Sequence, residues 1–122
     1  MPKIVYKVCS IDEWAAALEA GVYVGSADDA RDGFIHFSTS AQLPGTLARH
    51  FADRQGRGRE GLVLIALDAD ELATALKWEP ARDGALFPHL YGPLDPSLAR
   101  QCTPLEVGPD GRHILPGDLA RC

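Results

Sequence analysis

The segment Leu62-Val-Leu-Ile-Ala-Leu67 is apolar without a break. It falls far short of the roughly 18 apolar residues that a membrane span requires. A strand with no polar side must be covered on both faces, so the run is predicted as a central strand. The remaining chain must then supply flanking strands and two covering layers. With 122 residues, of which 46% are apolar and 24% charged, it can do so as one domain spanning residues 1–122. The N-terminal Met-Pro-Lys-Ile-Val-Tyr-Lys7 has no apolar block of the signal-peptide kind. The expectation is a cytoplasmic protein with no membrane partner.

Local patterns fill in the neighbours. Residues 3–9 alternate, with Ile4, Tyr6 and Val8 on one face and Val5, Lys7 and Cys9 on the other, as a strand requires. Ser10 and Glu13 form a capping box, Ile11, Trp14, Ala15 and Leu18 follow at helical spacing, and Gly21 closes the helix. Val22–Val24 is short and extended, and Ser26–Asp32 reads as a polar turn. Phe34-Ile-His-Phe37 is predicted as a strand, followed by a second capping box, Thr39 with Gln42, and a helix through Leu43, Leu47 and Phe51 that Pro44 distorts at its start. After the central strand come a short helix over 69–76, an extended Lys77–Glu79, a turn at Asp83-Gly84 and a strand from Ala85 to Tyr91. A single helical turn at Asp95-Pro96, a strand over 99–107, a hairpin turn at Asp110-Gly111 and a last strand over 112–115 complete the chain. Late hairpins argue against a doubly wound parallel sheet. The reading is α+β, mainly antiparallel, with two helices packed on the sheet.

Twelve basic and seventeen acidic residues give a net charge of -5, which argues against a general nucleic-acid binder. The local exception is Arg49, His50, Arg54, Arg57 and Arg59, diluted by Asp53 and Glu60. This cluster reads either as a solvated helix end and loop or as a small phosphate-facing patch. Cys9, Cys102 and Cys122 are odd in number and far apart, which fits reduced thiols, with Cys9 a buried structural one. P-loop, Rossmann glycine, Gly-x-Ser-x-Gly and His-Glu-x-x-His patterns are missing from the sequence, and His50 and His113 have no partner at metal-ligand spacing, so no metal site is expected.

Two strands carry the candidate chemistry. His36 lies among hydrophobic neighbours with Ser38 on its face, and His89 shares a face with Tyr91. If the strands are close, these groups converge in one cleft, where two imidazoles can serve as acid and base. Glu79, between Trp78 and Pro80, is a candidate carboxylate. Lys7 is a candidate cation for a phosphate or carboxylate, and Ser38, Trp78 and Tyr91 are candidate substrate contacts. Each histidine also has a plain structural reading, as a hydrogen-bonded core residue. His36-Phe-Ser38 matches half of a two-histidine phosphoesterase pattern, and His89-Leu-Tyr91 breaks the other half.

Ile4-Val-Tyr-Lys7, Trp14 with Gly21 and Tyr23, Gly33-Phe-Ile-His-Phe-Ser38, Trp78-Glu79 and Phe87-Pro-His-Leu-Tyr-Gly-Pro-Leu94 together resemble the domain of unknown function 952 family, from about residue 4 to residue 115. That family has no established activity. The resemblance implies a fold similar to the ADP-ribosyltransferase superfamily, a split sheet with a nicotinamide-nucleotide cleft between its halves. By position Lys7 takes the first-strand slot where many relatives hold histidine, and Phe37 and Ser38 take the aromatic-hydroxyl slot. Glu79 is the nearest candidate for the late glutamate. The RNA 2'-phosphotransferases of that superfamily, which use Arg and His, are a further comparison.

Three functions follow as expectations. The first is a small enzyme acting on a nucleotide or an NAD- or ADP-ribose-like compound, with His36, His89 and Glu79 catalytic. The second is a non-catalytic binding module for a nucleotide-like small ligand in the same cleft. The third is a structural domain whose histidines serve the core. The sequence leaves cofactor and oligomeric state open.

Overall fold

The computed structural model describes residues 2–81 and 84–117. The strand β1 (Ile4–Ser10) runs into helix α1 (Ile11–Ala20), followed by α2 (Ala27–Asp32), β2 (Ile35–His36) and α3 (Leu43–His50). The second half contains β3 (Leu62–Asp68), α4 (Ala69–Leu72), β4 (Leu76–Pro80), β5 (Leu86–Leu90) and β6 (Gln101–Leu105). The strands form two three-stranded antiparallel sheets, ordered β1-β3-β6 and β2-β5-β4. The architecture is α+β.

Strand β3 is central and buried at every position, as its unbroken apolar run demands. Its two faces serve two cores. Val63, Ile65 and Leu67 join Val5, Cys9, Trp14 and Tyr23, while Leu62, Leu64 and Ala66 join Tyr6, Val8, Leu43 and Leu47. Burying each leucine fully contributes about 1.5–3 kcal/mol, so the alternation fixes the register of β1 on β3. Helix α1 has the expected capping box from Ser10 and Glu13, but its buried face is Trp14 and Ala17. Ile11 and Leu18 are exposed.

The two sheets meet where the chain changes partner. Phe37 N–H still donates to Pro88 O of β5, whereas Ser38 exchanges both backbone hydrogen bonds with Tyr6 of β1, at 2.8 Å each. This switch is why the strand expected over 34–37 is only two residues long.

Other boundaries also shift. Ser26–Asp32 is no turn: Ser26 and Asp29 form a capping box and open α2. The helix expected over 69–76 stops at Leu72, a 3-10 turn covers Ala73–Ala75, and Leu76 already belongs to β4. The expected last strand is reduced to an isolated Val107–His113 bridge. Beyond the two packing helices and the short helix expected after β3, the described residues contain one further α-helix, α2. Asp83 of the expected turn, and Cys122, lie outside the described residues. Within them, no helix is long and apolar enough to cross a membrane.

Candidate functional site

Antiparallel pairing of β2 with β5 places His36 directly opposite His89, so both side chains leave the same face of the smaller sheet. The two ring centroids are 5.4 Å apart, edge to face. Ile35, Leu76, Trp78 and Leu90 occupy the other face and pack into the main core. The histidine-bearing face is left for the site. Phe34 closes the pair on one side, stacked on the His89 ring at 4.1 Å and tilted against the His36 ring at 4.6 Å. The His36 side chain is 37% exposed and that of His89 only 7%.

Each imidazole is backed by a carboxylate. On β4, Glu79 reaches diagonally to β5, where its Oε1 accepts hydrogen bonds from His89 Nδ1 at 2.9 Å and from the Tyr91 hydroxyl at 2.7 Å. Donation by Tyr91, then by His89, holds the Glu79 carboxyl below the usual range, and the same bond to Glu79 raises the Tyr91 phenol. An ionised carboxylate only accepts, so Nδ1 of His89 carries the proton in the bond and Nε2 is the basic nitrogen of the neutral ring.

His36 is held by α2. Its Nδ1 lies 2.6 Å from Asp29 Oδ1, and its Nε2 lies 3.0 Å from Asp32 Oδ2. Asp29 also receives the His36 backbone N–H, the Ser26 backbone N–H and, at 2.7 Å, the Lys7 ammonium. Burial alone pushes the Asp29 carboxyl up; the His36 bond and the Lys7 charge more than offset it and bring it well below the ordinary range. The close approach that buries Asp29 requires Gly25, where φ is +102° and an added Cβ would sit 2.7 Å from Asp29 Cβ. The hydrogen bond from Arg31 is the main cause that lowers Asp32.

A cavity of about 250 Å³ opens beside this pair, lined by both histidines, Lys7, Ser38 and Asp29 and walled by aromatic rings that include Tyr6 and Phe87. Lys7 does not offer the cavity an unpaired charge: it is buried, bonded to Asp29, and donates at 3.2 Å to the His36 carbonyl oxygen. Ser38 Oγ is likewise engaged, 2.8 Å from Thr46 Oγ1. Trp78 packs on the core side of its strand, as period two dictates for the neighbour of Glu79. The site therefore brings together His36, His89, Glu79 and Tyr91, with Lys7 behind them. Sequence reasoning missed Asp29 and Asp32, whose signal was the Ser26-x-x-Asp29 cap, and missed Phe34, while His50, singled out only within the basic cluster, also lines the cavity. Among the described residues no group of three metal-ligating side chains is arranged around a common point.

The sequence matches the family described as a protein of unknown function, DUF952, over residues 8–101. The fold is similar to the crystal structure of protein CC0527 from Caulobacter crescentus, with a TM-score of 0.83, 43% identity, and coverage of 91% of this chain and 93% of that one. The solution NMR structure of CC0527 matches with a TM-score of 0.77 at 43% identity, covering 89% of this chain and 90% of the other. No curated protein matches. Most of the chain, including the His36 and His89 strands, lies within the family match, and the chain belongs to the DUF952 family of unknown function.

Proposed function

We propose that this protein is a small enzyme that processes a nucleotide- or ADP-ribose-like compound, with His36 and His89 as its acid–base pair. One observation carries the reading: two carboxylate-backed imidazoles face each other at 5.4 Å beside an open cavity of about 250 Å³. His89, oriented by Glu79, takes a proton at Nε2 from the attacking hydroxyl or water. His36, held by Asp29, supplies the positive charge and the proton for the leaving group once the ligand displaces its more exposed Asp32 contact. The split between two antiparallel sheets at the Tyr6–Ser38 bridge supports an ADP-ribosyltransferase-like comparison.

A second reading, a binding module without turnover, is favoured by a different observation. Lys7 is bonded to Asp29 and Ser38 to Thr46, so polar groups around the cavity are satisfied by one another. Calorimetric titration with NAD and with ADP-ribose, followed by recovery of the ligand, separates the two. The enzymatic reading expects heat with the wild type, none with the His36→Ala/His89→Ala double variant, and a changed product. Intact ligand after long incubation favours the module, and no heat with either compound removes this ligand class.

A further inference from the structure

The cations on the histidine side of the cavity are already committed. Lys7 is paired with Asp29 at 2.7 Å, and Arg31 with Asp28 at 3.1 Å and Asp32 at 3.0 Å. An anion placed there would meet three carboxylates that already engage Lys7, Arg31 and both ring nitrogens of His36, so no uncommitted cation faces it. The cavity is also lined by His50 and Phe51, from the end of α3. Arg59 sits against these two residues, its guanidinium carbon 5.3 Å from the Phe51 ring centre and its Nη2 donating to the His50 carbonyl at 3.0 Å. That bond offsets the partial negative charge of the helix C-terminus and leaves the other guanidinium donors unassigned. Arg59 makes no ion pair with a carboxylate among the described residues. Of the two acidic residues of this stretch, Asp53 and Glu60, neither pairs with Arg59, and Asp53 accepts instead from the backbone N–H groups of Gln55 and Arg57.

The loop is also built to hold this position. Gly58 N–H donates to Gly111 O at 2.7 Å, and His113 Nε2 donates to the Arg59 carbonyl at 2.7 Å. The His113 ring lies so close that a Cβ on residue 58 would be 2.6 Å from its Cε1. The Arg59 backbone is thereby fixed from two sides, and its side chain is laid over the Phe51 ring as a cation on an aromatic face.

We propose that the cavity is bipolar, and that Arg59 with His50 forms an anion subsite for the phosphate of a nucleoside monophosphate-like ligand whose uncharged part reaches His36 and His89. The proposal rests on the reading of the histidine pair as the working site and gives that site an orientation. It moves the phosphate contact from Lys7, where its charge is cancelled, to Arg59, whose planar fork suits phosphate oxygens.

The test follows the His50 ring and the Arg59 Nε resonances by NMR during titration with inorganic phosphate, with chloride at matched ionic strength as the control. Saturable shifts with phosphate alone, abolished in Arg59→Ala and partly kept in Arg59→Lys, are expected. Unsaturable shifts, or the same shifts in Arg59→Ala, overturn the subsite. In a second arm, adenosine and its 5'-monophosphate are compared by calorimetry. The monophosphate is expected to bind about tenfold more tightly, a difference of about 1.4 kcal/mol, and Arg59→Ala to erase that advantage while leaving adenosine unchanged. Equal binding in the wild type also overturns the proposal. If neither compound perturbs the His36 and His89 rings while the phosphate shifts persist, the reading of the histidine pair fails and the anion subsite stands.

Discussion

Replacing Asp29 by alanine tests how the site is held together. The Asp29 side chain is 2% exposed and that of Lys7 5%, and four groups donate to the carboxylate: the Lys7 ammonium, the His36 ring, and the His36 and Ser26 backbone N–H groups. Its removal leaves a buried ammonium with the His36 carbonyl as its remaining described acceptor. Breaking a buried pair from one side costs about 3–5 kcal/mol, against a total stability of about 5–15 kcal/mol for a domain. Lys7→Met should cost less, because the carboxylate keeps its other donors. The double variant Lys7→Met/Asp29→Ala should be more stable than the sum of the single changes implies, since it leaves no unpaired buried charge. Urea unfolding of the four proteins at neutral pH closes the cycle. The sign with pH is also fixed. The folded-state pKa of Asp29 is depressed, so its contribution is complete above the ordinary aspartate value of about 4 and is lost as pH falls toward its lower folded value. The gap between the wild type and Asp29→Asn should therefore stay level from neutral pH down to about 4 and narrow below it. A cost under about 1 kcal/mol for Asp29→Ala, or strict additivity in the double variant, would refute a buried, paired Asp29.

Three further outcomes follow from local geometry. Gly58→Ala forces a Cβ to 2.6 Å from the His113 ring, which is itself bonded to the Arg59 carbonyl, and should destabilise the fold by about 1–3 kcal/mol; a neutral result in urea unfolding would contradict the packing. Burial, then the charge of Glu13, push the Cys9 thiol up to about 12, so peptide mapping after native alkylation near pH 8 should find Cys102 labelled and Cys9 protected. Labelling of Cys9 at the rate of Cys102 would count against its burial. Glu79→Gln removes the carboxylate that raises the Tyr91 phenol, so ultraviolet titration should show one tyrosine ionising at lower pH than in the wild type, and an unchanged curve would place Glu79 elsewhere.

The main sheet was legible because its signals are local and redundant. An apolar run with no polar face specified β3, alternation specified β1, and Ser10 with Glu13 specified the start of α1. Helix α2 was not legible for a physical reason: the residue it turns inward is a carboxylate, so it has no apolar stripe to reveal the helical period. The partner that stabilises that carboxylate, Lys7, lies 22 residues away on another strand. Period two correctly put His89 and Tyr91 on one face, and the same rule separates Glu79 from Trp78. What it could not provide was the pairing of β2 with β5, the long-range contact that sets His36 against His89. The brevity of β2 was hidden too, because the chain leaves one sheet for the other at Ser38 through backbone bonds that no side-chain pattern records.

The two-imidazole arrangement is open to direct observation in solution. NMR of the histidine rings, with nitrogen shifts for the tautomer and through-space contacts for the distance, should show neutral His89 protonated at Nδ1, together with cross-peaks linking its ring to those of His36 and Phe34. A His89 ring protonated at Nε2 instead, or rings of His36 and His89 with no contact between them, would contradict the acid–base site.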